Sequence, residues 1–382
     1  MERLVNKKMV IGFDGNEANI EERVGVNVYA YDLLCAISKL LCKWPRKHKL
    51  IVYLKNKSLL DMPKETSCLK YKVIKGGGAW ILRKLVPELL FGKSRPDIFF
   101  SPSHYLPPFT FMPGVCSIMD LGYLEFSGQF KKRDYWQLKV WSAISIYISK
   151  AVIAISNSTR KDIVRHYPFA SKKIYLTYPA FDSKKFNTKI QEEDVRRIKK
   201  RYAIVGDYIL FLSTLKPSKN LEGLFGAFSL IKEQFPRTKL VVTGKKGWLC
   251  DTIYKKVEEL RLKDDVIFTG FIPEEDKPAI IKGARLFVLP SFWEGFGLDV
   301  LNALACGIPV VVSDAGSLPE VAGNAGVYVK PDDIKGMSDA IKMVLTMDKM
   351  EYNKLVEKGL EQVKKFSWEK TARETLRILE SI

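Results

Sequence analysis

The segment over residues 286–312 constrains the fold more than any other part of the chain. An apolar run, Leu286–Leu289, predicts a buried strand, and residues 309–312 predict a second one. Between them stand a glycine turn that carries Glu294 and a helical run, Leu298–Ala305. A strand, a glycine turn and a helix N-terminus together aim backbone N–H groups at an anion, usually a phosphate. Glu294 beside that anion could hold a polyol by hydrogen bonds, so this segment predicts a nucleotide-sugar site.

Short strand-like runs separated by helical patterns occur along the chain and then start again, which indicates parallel α/β architecture. A chain of 382 residues is also too long for one ordinary core. We therefore predict an α/β protein with two Rossmann-like doubly wound domains that face a cleft. The polar, lysine-rich residues 182–201 are predicted to be the hinge or linker.

The predicted strands cover residues 8–13, 50–54, 115–119 and 151–156 in the first half, and 208–212, 239–243, 266–269, 286–289 and 309–312 in the second. The predicted helices cover residues 28–41, 135–148, 339–347, 352–365 and 368–382, the last with Ser367 as its N-cap.

The formal net charge of +19 is concentrated in the first half of the chain. Residues 1–200 carry 36 Lys and Arg against 18 Asp and Glu, whereas residues 201–382 carry 26 against 25. A basic domain beside a neutral one indicates an anionic partner, such as acidic lipid headgroups, a phosphorylated acceptor or nucleic acid. The alternative is that the positive charge only reflects an organism whose proteins are generally rich in lysine. No basic repeat interleaved with aromatic residues is present, so we expect no nucleic-acid partner.

Two stretches of the basic half, residues 79–91 and 131–141, combine cations with large apolar side chains. Helices that lie on a bilayer have this composition, so an anionic membrane surface is a candidate partner of the N-terminal domain. The alternative is that the apolar side chains pack on the sheet of the first domain. For residues 131–141 the pattern favours this alternative.

Six cysteines and three histidines are scattered without a CxxC pair or a His–Cys cluster. We therefore expect no metal site, and free thiols in a chain of this length fit a reducing cytosol. The longest apolar run, residues 140–156, is interrupted by Lys150 and is too short to span a bilayer. The N-terminus lacks the apolar core of a secretory signal. A cytoplasmic protein, soluble or peripheral at the cytoplasmic face of a membrane, is expected.

Several ordered motifs lie between residues 209 and 333, and together they are more specific than any one alone. They occupy residues 214–221, 242–248, 266–273, 294–298 and 317–326. With these motifs the chain resembles the retaining GT-B glycosyltransferases of family 4 (group 1), particularly the mannosyltransferase-like members. Residues 366–372 resemble the closing helix of this family. The first half matches more loosely, through residues 13–14, 25–29, 101–104 and 156–160.

The resemblance implies transfer of a sugar, with mannose as a candidate, from a nucleoside-diphosphate sugar to an acceptor hydroxyl with retention of anomeric configuration. It implies no metal and no cofactor beyond the nucleotide-sugar donor. The expected acceptor is a lipid-linked or polysaccharide glycan. Residues 1–185 would form the acceptor-side domain and residues 186–365 the donor-nucleotide domain. Residues 366–382 would form a helix that returns to the first domain.

The resemblance also assigns roles to individual residues. Lys219 would contact the donor phosphates, and Glu294 would hydrogen-bond the hydroxyls of the donor sugar. The alternatives are an ordinary surface lysine at a helix start and a carboxylate favoured by the helix dipole. Backbone amides at the start of the following helix would complete the phosphate site, although the glycines there could serve only as turn formers. These amides belong to Gly295, Phe296, Gly297 and Leu298.

Three further positions are expected at the donor. Phe271 would border the nucleobase, or it packs in the protein. Gly25 lacks a Cβ and would let its loop approach the diphosphate closely, unless it is an ordinary turn residue. Gly244 belongs to the second donor-side motif.

The sequence departs from the family pattern at three positions. Asn302 replaces a second glutamate that binds the ribose, Ser218 replaces an arginine before the phosphate lysine, and Met119 replaces a histidine before Asp120. His104 could take over part of the missing histidine's role at the donor sugar, or it is a surface histidine. These departures keep open an alternative, a catalytically degenerate binding or partner subunit. A nucleotide-sugar epimerase on the same scaffold is a third interpretation.

Overall fold

The computed structural model describes residues 8–44, 48–129, 131–247 and 250–382. Trp248, which closes one of the donor-side motifs, lies outside the described residues. The chain forms two compact units. Unit 1 comprises Met1–Glu125, Lys131–Pro179 and Ser367–Ile382, and unit 2 comprises Phe126–Phe130 and Ala180–Phe366.

Each unit is built on one sheet of parallel strands. In chain order the strands of unit 1 are β1 (Val10–Asp14), β2 (Lys49–Leu54), β3 (Leu69–Val73), β4 (Ile98–Ser101), β5 (Gly114–Ile118), β6 (Ala151–Ala154) and β7 (Ile174–Leu176). The strands of unit 2 are β8 (Tyr208–Leu212), β9 (Lys239–Thr243), β10 (Val266–Gly270), β11 (Leu286–Leu289), β12 (Val310–Ser313) and β13 (Gly326–Val329).

Helices connect the strands. In chain order the α-helices are α1 (Val26–Leu41), α2 (Val86–Phe91), α3 (Gly122–Glu125), α4 (Lys132–Ile148), α5 (Asn157–His166), α6 (Glu192–Arg201), α7 (Leu221–Ile231), α8 (Asp251–Glu259), α9 (Lys277–Lys282), α10 (Leu298–Ala305), α11 (Leu318–Ala322), α12 (Ile334–Thr346), α13 (Lys349–Val363) and α14 (Trp368–Glu380). A π-helical segment, Ile81–Leu85, leads into α2.

The order of the strands defines the topology of both sheets. Unit 1 has the order β3-β2-β1-β4-β5-β6-β7, and unit 2 has the order β10-β9-β8-β11-β12-β13. Both begin with the strand order of the Rossmann fold, so the prediction of two Rossmann-like doubly wound domains is confirmed. In such sheets a crevice opens at the carboxyl ends of the strands, where the chain leaves neighbouring strands in opposite directions. That point lies between β1 and β4 in unit 1 and between β8 and β11 in unit 2.

Most of the strands that the sequence predicted are buried along most of their length, with the edge strand β10 as an exception. Every residue of β5, β6, β8, β11 and β12 is buried, because helices on both faces shield parallel strands from water. The strands that the sequence missed include β3, β7 and β13, which lie at sheet edges and are partly exposed. A partly solvated strand needs no continuous apolar run. The short central strand β4 was also missed, because its apolar run of three residues is below a recognisable length.

One local prediction is wrong, and another is confirmed in position only. Residues 182–201 were predicted to be a linker, but they lie in unit 2 and end in helix α6. That helix buries Val195 and Ile198 and packs against α9, so its few apolar positions are enough to fix it. Ser367 stands at the N-cap of α14, but its side chain makes no capping hydrogen bond. Its carbonyl instead accepts from the backbone N–H of Thr371.

The last helix, α14, packs against α1 within unit 1. Its anchor is Glu380, whose Oε1 accepts a hydrogen bond from Trp44 Nε1 at 2.8 Å and lies 2.7 Å from His48 Nε2. The other nitrogen of His48, Nδ1, accepts from the backbone of Met9 at 3.0 Å, so Nε2 is the donor to the carboxylate. The helix therefore closes unit 1 although it follows all of unit 2 in the chain. Among the described helices none is long and apolar enough to cross a membrane.

Candidate functional site

Two charged side chains meet at the carboxyl ends of β8 and β11 in unit 2. The ammonium of Lys219 donates to Glu294 Oε1, and the two side chains are 9% and 11% exposed. Ser291 Oγ donates to the same carboxylate oxygen at 3.0 Å. An ion pair this far out of water loses hydration on both partners, so the folded chain must hold it in place by other contacts.

Lys219 is positioned by the loop between β8 and α7. A single 3₁₀ turn, Pro217–Lys219, ends at Asn220, which has a left-handed backbone with φ of 56°. The Asn220 side chain donates to the carbonyls of Pro290 and Pro331 at 3.1 and 2.5 Å. These bonds fasten the Lys219 loop to the loop after β11. Sequence reasoning missed Asn220, whose partners are 70 and 111 residues away in the chain, and Ser291, whose partner Glu294 is only three residues away.

The loop that carries Glu294 is held from the opposite side by residues after β12. Ser317 Oγ donates to the carbonyls of Glu294 and Phe296 at 3.0 and 2.8 Å. Gly316 packs directly beneath, with φ of 59°, and a Cβ added there would lie 2.5 Å from the carbonyl oxygen of Glu294. Only glycine fits both this conformation and this space. The main chain at Glu294 is therefore fixed by a neighbouring strand-to-helix turn.

The predicted phosphate cradle lies next to this pair. Gly297, with φ of 98°, stands at the N-cap of α10 and provides no side-chain cap, while its carbonyl accepts from the backbone N–H of Val300 at 3.1 Å. The first N–H groups of α10, which begins at Leu298, therefore face outward at the carboxyl edge of the sheet. The side chain of Phe296 is 4% exposed and packs on Phe366 with ring centroids 5.7 Å apart. Phe296 could therefore meet the predicted ligand only through its main chain.

The remaining donor-side predictions fall on the same edge of the sheet. The carbonyl of Ser218 accepts from the backbone N–H of Phe292 at 2.9 Å, which ties the two loops together. Gly244 follows β9 and has φ of 149°, and a Cβ there would lie 1.8 Å from the carbonyl oxygen of Ser213. Phe271 follows β10 and is half-buried. Four neighbouring strands thus bring their predicted residues to one edge.

A second charged cluster, which sequence reasoning missed, lies on α10 close to Glu294. Asn302 is buried, and its Nδ2 donates to Asp299 Oδ1 at 3.3 Å. Burial raises the pKa of Asp299 to about 6. The carboxylates of Glu274 and Glu294 act in the same direction, whereas Lys277 and the Asn302 hydrogen bond oppose the rise. Lys277 is itself buried and pairs with Glu274. Asn302, which replaces the ribose-binding glutamate of the family pattern, is therefore hydrogen-bonded to the carboxylate of Asp299 one helical turn earlier.

The pKa of Asp299 predicts how stability depends on pH. A carboxyl whose pKa is raised in the folded state favours folding below its unfolded pKa, about 4, and loses that contribution as the pH rises through about 6. Asp299→Asn removes this loss. The free energy of unfolding of the variant minus that of wild type should therefore be about 1 kcal/mol larger at pH 7.5 than at pH 5, which means that the variant gains stability relative to wild type as the pH rises. Urea titrations at both pH values measure this difference.

The exposed Asp332 gives the matched control. Asp332→Asn should shift the unfolding free energy by the same small amount at both pH values. If Asp299→Asn behaves in the same way as this control, the pKa of Asp299 is not raised in the folded protein.

Unit 1 brings its own predicted residues to the carboxyl edge of its sheet. His104 follows β4 and Asp120 follows β5, the neighbouring strand. Burial lowers the pKa of His104, and the carboxylate of Asp120 opposes this shift. Within the described part of the chain, the buried Nδ1 of His104 has no hydrogen-bond partner. Burial thus favours the neutral imidazole, and its Nδ1 is buried without a partner among the described residues, unlike a nitrogen of an ordinary surface histidine.

Met119 and Asp120 at this edge accept hydrogen bonds from nearby residues, and Gly25 has open space around it. Met119 is 8% exposed, and its carbonyl accepts from Thr159 Oγ1 at 3.0 Å. Asp120 Oδ1 accepts from the backbone N–H of Gly122 at 2.9 Å. Gly25 is the N-cap of α1 with φ of 49° and has open space where a Cβ would stand. Its backbone conformation, and not crowding, is what favours glycine there.

The described residues contain no group of three or more His, Cys, Asp and Glu side chains that could hold a metal ion. What the two edges offer instead is an ammonium, a helix N-terminus, carboxylates and one neutral imidazole. The edge of unit 2 suits an anionic ligand with hydroxyl groups beside it.

Residues 194–362 match the family model described as glycosyl transferases group 1. The chain is 34% identical over 233 residues to O-antigen chain mannosyltransferase B of Escherichia coli, a match that covers 61% of each protein. It is 31% identical over 225 residues to the serotype-specific mannosyltransferase WbdA of Escherichia coli, which covers 58% of this chain and 28% of that one. The chain thus spans about three fifths or less of the length of these curated relatives. The resemblance drawn from the motifs is confirmed over this region.

Solved structures match over nearly the whole chain. Sucrose-phosphate synthase from Thermosynechococcus elongatus has a TM-score of 0.75 at 20% identity, over 98% of this chain and 99% of that one. Anabaena Alr3699/HepE in complex with UDP-glucose has a TM-score of 0.75 at 18% identity, over 98% and 100%. At these identities the likeness shows the fold, which is GT-B as expected.

Proposed function

We propose that this chain, whose residues 194–362 match the glycosyl transferases group 1, is a retaining glycosyltransferase. It moves a sugar, with mannose as the first candidate, from a nucleoside-diphosphate sugar to an acceptor hydroxyl. The observation that carries the proposal is the Lys219–Glu294 ion pair beside the free N-terminus of α10. The similarity to two mannosyltransferases supports the choice of sugar. The UDP-glucose held by a protein of similar fold supports the class of donor.

The donor diphosphate would take the ammonium of Lys219 and the first N–H groups of α10. The bond between the anomeric carbon and the phosphate oxygen breaks during transfer, so negative charge grows on the departing diphosphate. Fixed positive groups that strengthen their contact as this charge develops lower the barrier. This assignment requires no metal ion, because the chain itself supplies the positive ends.

Glu294 would hydrogen-bond the hydroxyls of the donor sugar. Without a donor its carboxylate pairs with Lys219, and Ser291 holds the same oxygen. A diphosphate that binds Lys219 competes with this pair and releases acceptor capacity on Glu294 for the sugar. One buried pair would thus divide into a phosphate ligand and a sugar ligand when the donor arrives.

For unit 1 we assign the main chain at Gly25 to the diphosphate and the open Nδ1 of His104 to a sugar hydroxyl. Asp120 would keep that imidazole oriented from the neighbouring strand. Unit 1 would also bind the acceptor, for which we propose a lipid-linked or polysaccharide glycan. With such an acceptor, the protein would act in the cytoplasm as a peripheral protein at the cytoplasmic face of a membrane.

A panel of sugar nucleotides tests the proposal, with diphosphate release as the readout and membrane extract as the source of acceptor. One donor, with GDP-mannose first in order, should release diphosphate only when extract is present. Binding of a donor without release would favour a degenerate binding subunit, for which the buried Met119 in place of histidine is the main argument. Consumption of donor without any acceptor would favour an epimerase.

The packing of Gly316 against Glu294 gives a separate prediction. Gly316→Ala forces a strained backbone and a clash with the main chain of Glu294. We expect about a hundredfold lower diphosphate release, because a carboxylate displaced by about 1 Å no longer meets the sugar correctly. Steady-state kinetics with the best donor of the panel measure the loss.

Gly206→Ala is the control, since Gly206 also has a positive φ, 79°, but its added Cβ would approach only the carbonyl of Arg237 at 3.2 Å. This variant should lose stability and keep its specific activity. Equal activity losses in the two variants would show that backbone strain, and not the position of Glu294, sets the rate.

A further inference from the structure

Helix α4 of unit 1 exposes one continuous stripe of large apolar side chains. Trp136, Val140, Ile144, Tyr147 and Ile148 are 57, 50, 39, 72 and 37% exposed. Their spacing places them on one side of a helix with 3.6 residues per turn. For residues 131–141 the sequence favoured packing of the apolar side chains on the sheet, and that interpretation is wrong for Trp136 and Val140.

The buried side of α4 explains the inversion. It presents Ser142, Ser145 and Ile146 to the protein, and Ser145 Oγ accepts from the backbone N–H of Leu106 at 2.9 Å. Two small hydroxyl side chains let the helix sit close to the loop after β4. Because serines face inward, the larger apolar side chains are left outside.

Cations surround the stripe, which together with Phe169 we call the α4 face. Residues 131–150 contain five Lys or Arg and one carboxylate, Asp134. Beyond the end of the helix, Phe169 is 56% exposed and its ring lies 5.8 Å from that of Tyr147. Lys173 Nζ lies 5.8 Å from the Phe169 ring and donates to the carbonyl of Tyr147 at 2.9 Å. The apolar surface and its basic rim therefore continue beyond the helix.

This composition fits a lipid surface of negative charge. A contiguous exposed apolar patch with a polar rim marks an interaction site in a soluble protein. Trp and Tyr together with Lys and Arg are the residues that settle at the boundary of headgroups and acyl chains, and each cation near an anionic leaflet adds attraction. An acidic protein partner would use the charges, but it would leave a row of five large apolar side chains unexplained.

We propose that the α4 face docks on an anionic membrane, with the helix lying in the plane of the interface. The proposal deepens the proposed function and rests on it only for the acceptor. Within unit 1 aromatic rings lead inward from this helix: Trp141 lies 6.2 Å from Tyr105, and Tyr105 lies 5.3 Å from His104. A glycan anchored in the bilayer would then be presented close to the edge of the sheet that carries His104.

Co-sedimentation of the full chain with vesicles tests the proposal. At low salt the protein should bind vesicles of phosphatidylcholine that contain about 40% of the anionic lipid phosphatidylglycerol. It should bind vesicles of pure phosphatidylcholine much more weakly. Two variants probe the face: Trp136→Ser/Val140→Ser/Tyr147→Ser, and Lys131→Gln/Lys132→Gln/Arg133→Gln. Each should bind the anionic vesicles at least tenfold more weakly than wild type. All six changed side chains are exposed, so thermal melts of both variants should stay near that of wild type.

Matched triple variants in unit 2 serve as controls. Leu230→Ser/Met343→Ser/Met350→Ser removes equally exposed apolar side chains, and Lys349→Gln/Lys354→Gln/Lys358→Gln removes three exposed cations of α13. Both controls should bind within about twofold of wild type, because neither touches the α4 face.

Three results would overturn the proposal: no binding of wild type to anionic vesicles, equal binding by the face variants, or equal loss in the controls. A dimer that the apolar face variant abolishes, without vesicle binding, would assign the face to a second copy of the chain instead. Vesicle binding is measured in the absence of a sugar-nucleotide donor. Binding without any diphosphate release would therefore remove the proposed function and keep the membrane face, and release without vesicle binding would do the reverse.

Discussion

Lys219→Ala is expected to lower kcat/KM for the donor by about three orders of magnitude. The variant removes the one ammonium assigned to the departing diphosphate, and the N–H groups of α10 alone cannot neutralise the charge that develops there. Diphosphate release at varied donor concentration measures the loss. Lys255→Ala is the matched control, since Lys255 is an exposed lysine of the same unit, on α8, and should leave the rate unchanged.

The same change has a structural cost that must be separated from catalysis. Lys219→Ala leaves the carboxylate of Glu294, 11% exposed, without its cation, which should destabilise the fold by about 3 kcal/mol. The double variant Lys219→Ala/Glu294→Gln should recover most of this stability and none of the activity. Turnover within twofold of wild type in Lys219→Ala, or activity regained in the double variant, would show that Lys219 serves only the fold.

Glu294→Gln is expected to separate donor turnover from nucleotide affinity. Turnover should fall about a hundredfold, because a neutral amide replaces the charged hydrogen bonds to the sugar. The affinity for a nucleoside diphosphate without sugar should not fall, since the amide no longer competes for the ammonium of Lys219. Donor kinetics and calorimetry on one preparation measure both quantities.

Glu222→Gln provides the control, as Glu222 is an exposed carboxylate in the first turn of α7. It should change neither quantity. A Glu294→Gln variant that keeps wild-type turnover would leave the sugar without its proposed ligand. One that loses nucleotide affinity along with turnover would show that Glu294 supports the whole loop and does not act on the sugar.

The contact between Lys219 and Glu294 could be anticipated from the sequence. Each residue follows a recognisable buried strand, and neighbouring parallel strands end at the same edge of a sheet. The order of β8 and β11 in the sheet was the missing step, and the structure supplies it. Lys219 and Glu294 are 75 residues apart in the chain, and no local pattern alone could have paired them.

The residues that hold this pair could not be found in the same way. Asn220, Gly316 and Ser317 act through main-chain atoms of distant loops, so their residue types carry no periodic signal. The Asp299–Asn302 contact is local, one helical turn apart. The family resemblance marks only Asn302 and gives no signal for Asp299. The raised pKa of Asp299 also depends on Glu274 and Lys277, which reach it only in the folded chain.

Helix α4 shows a different limit of sequence reasoning. Its pattern locates the helix within three residues at its start, Lys132 against the predicted residue 135. The pattern does not show which side is buried, because periodicity assigns the large apolar side chains to the core by default. Here the loop after β4 requires a close approach, and serines make that approach. Trp136 and Val140, which the pattern assigned to the interior, are exposed.

Calorimetric titration of GDP and UDP into wild type, Lys219→Ala and Glu294→Gln tests the central claim most directly. The claim is that one ion pair at the β8–β11 junction separates into a diphosphate ligand and a sugar ligand. It predicts that the preferred nucleotide binds Lys219→Ala at least tenfold more weakly than wild type and binds Glu294→Gln as tightly or more tightly. Equal affinity in all three proteins, or an equal loss in both variants, would contradict it.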